Sequence, residues 1–248
     1  MPSRQETPVS ESSSQDRFWK LDALRGGLII GMVVFHLLFD LHEYQGLRLG
    51  ALLDWWGLIR VLGASGFLLI VGIGLSLSHR KKGPEFARYA LWRSVELLMF
   101  GVLITIVTLW FEPDNYVTFG VLSLIGASTL LSFVSVHKPL LSLIGGIILL
   151  VEGSLLYLSP TLPTVLGWIA PSPFLQTSLD YYPLLPWMGL VFIGIYLGHR
   201  FYKTTDATGK TEAPALFKPM NWCGRKALWI YLLHQPVIIL LLRLLQLT

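Results

Sequence analysis

The sequence predicts an all-α, polytopic transmembrane helix bundle, and three observations carry that prediction. Of the 248 residues 53% are hydrophobic and 14% charged, and the mean hydropathy is +0.61, values of a membrane protein rather than of a soluble core. Apolar stretches of about 20 residues, the length that crosses a bilayer as helix, recur along the chain. Lys and Arg gather in alternate loops, as the cytoplasmic loops of membrane proteins do. That bias accounts for the net charge of +4, so nucleic acid is not an expected partner.

Residues 1–16 are rich in Ser, Gln, Glu and Pro. They hold too little apolar surface to offset the entropy of ordering, which predicts a disordered cytoplasmic tail ahead of a single integral-membrane domain over 17–248. Spans are predicted at 24–44, 55–78, 90–111, 117–136, 139–158, 183–200 and 227–247, about seven in all. The first has no small-residue cleavage site and is expected to stay as a signal anchor. With seven crossings, Arg4, Arg17, Lys20, Arg80, Lys81, Lys82, Arg88, Arg93, His137, Lys138, Arg200, Lys203, Lys210, Lys218, Arg225 and Lys226 fall on one side, and chiefly Arg48 on the other. The N-terminus is therefore expected inside and the C-terminus outside. Cys223 is the one cysteine, which excludes an intrachain disulfide, and no metal site is expected.

The first span carries the chemistry. At about 100° per residue, Asp22, Arg25, His36, Asp40 and Glu43 share one stripe of a helix that is otherwise Leu, Ile, Val, Met and Phe. Charge within a bilayer must face protein or water, so the stripe is expected to look into the bundle. Asp22, Arg25 and Glu43 lie towards the helix ends, where charge is cheap. His36 and Asp40 lie deeper and one turn apart, a spacing that predicts a side-chain pair.

Other features sort into packing and chemistry. Gly27 with Gly31 and Gly194 with Gly198 have the four-residue spacing that lets helix backbones approach. Trp55, Trp56, Tyr181 and Tyr182 read as an interfacial aromatic belt. Arg60 either snorkels to the interface or counters Asp40. Arg93 and Glu96 read as an ion pair. Glu152 has no evident partner. His234-Gln235-Pro236 interrupts the last span, where Pro236 leaves the Leu232 carbonyl without its helical donor beside a histidine. The Pro-rich loop 159–182 reads as a lid or a plain connector.

Leu21-Asp22-Ala23-Leu24-Arg25-Gly26 with Phe35-His36-Leu37-Leu38-Phe39-Asp40-Leu41, then Phe67-Leu68-Leu69-Ile70-Val71-Gly72, Phe119-Gly120-Val121-Leu122, Asp180-Tyr181-Tyr182-Pro183-Leu184-Leu185-Pro186-Trp187-Met188-Gly189 and Gly224-Arg225-Lys226 through His234-Gln235-Pro236 resemble the heparan-α-glucosaminide N-acetyltransferase catalytic-domain family. The resemblance implies a membrane-bound acetyltransferase of a bacterial plasma membrane. It would transfer acetyl from acetyl-CoA to a sugar amine or hydroxyl acceptor at or across the membrane. On the quoted motifs His36 and Asp40 are the catalytic candidates, with Asp180, Tyr182, Trp187, His234 and Gln235 as substrate or support residues, to which Arg60 is added from its place inside the second span. Arg25, Arg225 and Lys226 are the candidates for the phosphates of acyl-CoA, a task that suits arginine. Expected partners are membrane lipid, a polar glycan or small-molecule acceptor and, as an open alternative, a second copy in a homodimer.

Two departures shape the assignment. The eukaryotic enzymes are associated with a histidine in the loop after the first family span, and the matching loop, Glu43 to Trp56, has none, with His42 at its edge. Many bacterial relatives carry a histidine where this chain has Ser123. Both direct attention to His36, as a general base held by Asp40 or as an acyl carrier. A small proton-coupled transporter using the same His and Asp is the competing class, although no inverted repeat is evident. A purely structural subunit would leave both residues without a role.

Overall fold

The computed structural model describes residues 18–158, 166–172, 175, 178, 180–202 and 213–245. The tail 1–16, Pro173 and much of the loop after residue 202 lie outside the described residues, with the expectations attached to them. The described residues are helical, without strands: α1 (Trp19–Gln45), α2 (Trp56–Lys82), α3 (Phe86–Phe111), α4 (Val121–Leu131), α5 (Pro139–Leu158), α6 (Leu184–Phe201), α7 (Lys218–Arg225) and α8 (Ala227–Leu244). Five helical stretches are long and apolar enough to cross a membrane, one of them, Leu52–Phe111, comprising α2 and α3. The domain expected over 17–248 is built as two compact units, one of α1 with α7 and α8, the other Gly50–Tyr202.

In the first unit α1 runs unbroken for 27 residues and closes on Gly46 in the left-handed region, φ 66°. His42 Nδ1–H donates to the Leu47 carbonyl at 2.7 Å, so His42 finishes the helix end. The short helix α7 lies against the first turns of α1. A methyl on Gly26 would overlap the Met220 carbonyl, and one on Gly224 would overlap that of Asp22. The two backbones therefore touch, which only glycine permits. Asn221 Nδ2 donates to the Trp19 carbonyl at 3.3 Å and fixes the register. The close approach falls on Gly26, not on the expected Gly27 and Gly31: a Cβ at Gly27 meets only the tip of Met220 at 3.2 Å, and at Gly31 nothing within 4 Å.

The second unit is held by a seam of small residues along α6. Methyls on Gly72 and Gly194 would strike the Val191 and Leu69 carbonyls respectively, and one on Gly198 would come within 2.8 Å of Ser76. On its other side, Gly146 and Gly189 face each other's carbonyls across α5 and α6, 2.8 and 2.6 Å from an added Cβ. So Gly194 and Gly198 do serve as packing residues. Ser94 Oγ donates to the Gly126 carbonyl at 2.7 Å and joins α3 to α4, and Ser123 is buried beside Gly101.

The predicted span 117–136 is shorter as a helix than expected. Phe119 and Gly120 lie outside the helix, because Phe119 pairs with Tyr181 and its carbonyl accepts the Tyr182 N–H at 2.9 Å. The helix then starts at Val121 and ends in a tighter turn at Val134. Arg93 and Glu96 form the expected ion pair at 2.8 Å. Glu152 lies exposed on α5.

Candidate active site

The first unit brings four of the predicted residues together. His36 of α1 and His234 of α8 face each other with ring centroids 4.9 Å apart and planes inclined at 56°. One turn further along α1, Asp40 is 2% exposed and accepts a 2.9 Å hydrogen bond from Gln235 Nε2. Among the described residues no hydrogen bond joins His36 to Asp40. Both side chains instead turn across to α8, so each helix contributes one imidazole and one amide or carboxylate.

Pro236 explains why α8 can do this. It lies inside the helix and has no N–H to give, so the ladder is loosened there. His234 Nδ1–H donates to the Tyr231 carbonyl at 2.6 Å. In the neutral ring the lone pair then sits on Nε2. Gln235 Oε1 is buried and unpartnered among the described residues. The site thus holds two imidazoles, a carboxylate fixed by an amide, and a buried acceptor awaiting a donor.

The other motif residues of this unit lie at the start of α1. Arg25 donates to Asp22 at 2.9 Å, and Asp22 is buried. Arg225 and Lys226 are exposed where α7 ends and α8 begins. Along α1 the distance from Arg25 to His36 is about 16 Å at the helical rise.

The second unit gathers Asp180, Tyr182 and Trp187. Asp180 Oδ2 accepts the Val121 N–H at 3.0 Å, satisfying one of the donors left open at a helix start. Tyr182 packs edge-on against Trp187, centroids 4.8 Å apart, and Trp187 Nε1–H points at the Tyr157 hydroxyl at 3.4 Å. Burial, then the Asp180 charge, push the Tyr182 hydroxyl well above the ordinary phenol range, while Arg60 pulls the other way. Tyr182 therefore stays a proton donor, and Arg60, itself exposed, acts on it through charge. The Tyr181 hydroxyl donates to the Gly167 carbonyl at 2.7 Å and accepts the Ser172 N–H at 3.0 Å.

Sequence reasoning missed a third cluster. His79, His137 and His199 lie within ring-centroid distances of 6.2 and 6.4 Å of His79, and Arg80 donates to the carbonyls of Tyr202, Gly198 and His199. These histidines sit at helix ends in basic surroundings, where the charge count hides them. Among the described residues no group of three or more His, Cys, Asp or Glu is placed to hold a metal.

A family model for heparan-alpha-glucosaminide N-acetyltransferase, catalytic, matches residues 17–236. The chain belongs to that family. The match covers every motif quoted for the resemblance and ends at Pro236, just past the residues that face α1. No curated protein and no solved structure matches the chain. Membership of the heparan-alpha-glucosaminide N-acetyltransferase family makes this a membrane protein related to acetyltransferases, and it adds no support for the transporter reading.

Proposed function

We propose that this chain is an acetyl-CoA-dependent acyltransferase of the bacterial plasma membrane, acting on a polar sugar amine or hydroxyl. The observation that carries the reading is the facing pair of His36 and His234 with Asp40 and Gln235 beside it. An acceptor must lose a proton as its nitrogen or oxygen attacks the thioester carbonyl, and a neutral imidazole suits that task. His36 takes the proton, His234 offers a neighbouring site for it, and the thiolate that leaves recovers it. Asp40 supplies negative charge to the developing imidazolium across the site. Gln235 Oε1 receives the acceptor's N–H or O–H and orients it. Arg225 and Lys226, exposed at the start of α8, are the residues that would turn to the phosphates of acyl-CoA. Arg25, committed to Asp22, adds charge. Asp180, Tyr182, Trp187 and Arg60 form a separate donor and aromatic cluster within the second unit.

Seven crossings with the N-terminus inside go with this reading. In the first unit, Gly224 meets Asp22, then His234 meets His36 and Gln235 meets Asp40. The contacts advance together, so α1 and α8 run in the same direction. Parallel helices require an even number of crossings from the start of α1 to the start of α8, and six helices, α1 to α6, supply one. The helical part of the fourth, Val121 to Val134, is shorter than the roughly 20 residues a span needs. Its non-helical lead-in at Phe119 and Gly120 makes up length, and irregular backbone is tolerated at depth where protein covers it.

The test is turnover by the purified full-length chain, followed as thiol release from acetyl-CoA with glucosamine as the probe acceptor. His36→Ala should remain folded in the membrane and lose at least about 10²-fold in turnover, the usual contribution of a general base. Near-normal turnover in both His36→Ala and His234→Ala would remove the pair from the chemistry.

A further inference from the structure

A groove of about 410 Å³ runs beside the first turns of α1, within the range of ligand pockets, and neither the fold nor the proposed chemistry uses it. Trp19 and Phe217, ring centroids 5.7 Å apart, line it together with Ala23, Leu24, Leu28 and Met220. Lys20 also lines it, with Nζ 5.9 Å from the Trp19 ring centroid. The α7 wall is fixed, since Gly224 and Gly26 leave no room for movement and Asn221 is tied to Trp19.

We propose that this groove binds one anionic phospholipid, with an acyl chain along the α1 face and the phosphate drawn to Lys20, which lines the groove, and to Lys218, the residue after the lining Phe217. The charge around the groove is one-sided. Lys218, Arg225 and Lys226 occur in residues 213–226 without any Asp or Glu. The nearby acid on α1, Asp22, is buried and paired with Arg25. A phosphate therefore meets cations here. The apolar lining selects a lipid over a soluble phosphate, because a hydrated ion gains nothing from Leu24, Leu28 and Met220. The segment also carries the marks of an interfacial element: Leu216 is 82% and Trp222 57% exposed, beside lysines whose stems can lie along apolar surface while their heads reach phosphate. Anionic lipid is drawn to such juxtamembrane basic groups.

Native mass spectrometry of the purified full-length chain, offered equimolar phosphatidylglycerol and phosphatidylcholine, tests the assignment. Phosphatidylglycerol should be retained preferentially. Lys20→Gln with Lys218→Gln should lower that retention by about fivefold for each charge removed. Leu24→Trp, at a position 57% exposed, should fill the groove and abolish the preference without unfolding the chain. Arg243→Gln, in the last turn of α8, should change nothing. Equal retention of the two lipids, or retention that survives both groove variants, overturns the proposal. So does displacement of the bound lipid by free coenzyme A, which would make the groove part of the acyl-donor site. Acetyl transfer is read separately, so loss of lipid with turnover intact leaves the proposed reaction standing.

Discussion

At the scale of the residue, Asp40 separates mechanism from proximity. Asp40→Asn keeps the shape of the side chain, and its amide oxygen can still accept from Gln235 Nε2, which now lies 2.9 Å away. Only the negative charge is lost. If that charge steadies a protonated imidazole, turnover should fall by on the order of 10²-fold, with little change in apparent acyl-CoA affinity. Arg225 and Lys226 sit towards the other end of the helix pair, so phosphate binding should not register the change. A pure affinity defect would make Asp40 a binding residue. Sequence alone singled out His36, Asp40, His234 and Gln235 and expected a pair within α1, whereas Asp40 accepts its hydrogen bond from Gln235 of α8. The i, i+4 rule draws attention to neighbours on one helix, whereas Asp40 and Gln235 are 195 positions apart. The two tyrosines ahead of α6 give a pH signature. Burial raises the Tyr181 and Tyr182 hydroxyls above their ordinary value, so the folded state keeps protons that the unfolded chain releases near pH 10. Their contribution to stability is full below that pH and is lost as pH rises beyond it. Thermal melts of the wild type should therefore drop more between pH 9 and about 11 than those of Tyr181→Phe.

At the scale of the element, backbone contact between α1 and α7 is the feature with the least tolerance. Gly26→Ala places a methyl into the Met220 carbonyl. Backbone cannot yield as a flexible side chain would, and we expect destabilisation of about 2–4 kcal/mol, the range of overpacking and strain. Gly31→Ala is the control. Its methyl meets nothing within 4 Å, so replacing a helical glycine should be neutral or stabilising by up to about 1 kcal/mol. Melting temperatures of the two variants in the same detergent decide the matter, and equal effects would place α7 elsewhere. The helices that cross open apolar stretches were legible because length and hydropathy determine them. The α7 helix was not, because eight residues of mixed character inside a basic loop carry no period long enough to read. The start of α4 was misread for a related reason. Its non-helical lead-in depends on Tyr181, Tyr182 and Asp180, which are distant in sequence and invisible to any local pattern.

At the scale of the whole molecule, two independent arguments meet on one topology. The distribution of Lys and Arg favours the proposed topology, with the N-terminus and the loop before α7 on the cytoplasmic side. The matching direction of α1 and α8 demands an even number of crossings between their starts, by contacts within one unit and without reference to charge. Each argument, on the proposed topology, asks that α4 cross despite its short helix. Were it to turn back, α8 would begin outside and Lys218, Arg225 and Lys226 would be external, against the charge bias. The α1–α8 contacts would then have to run in opposite order. A reporter fused after Thr248 should therefore be external, and one inserted within 203–218 should be cytoplasmic. Paired phosphatase and fluorescent-protein fusions at both sites give a signal on each side of the membrane, so a silent fusion is recognised as such. The same side for both would mean that α8 does not cross. An external loop with a cytoplasmic C-terminus would mean that α4 does not, and would separate the His36–His234 pair from the arrangement that makes it a site.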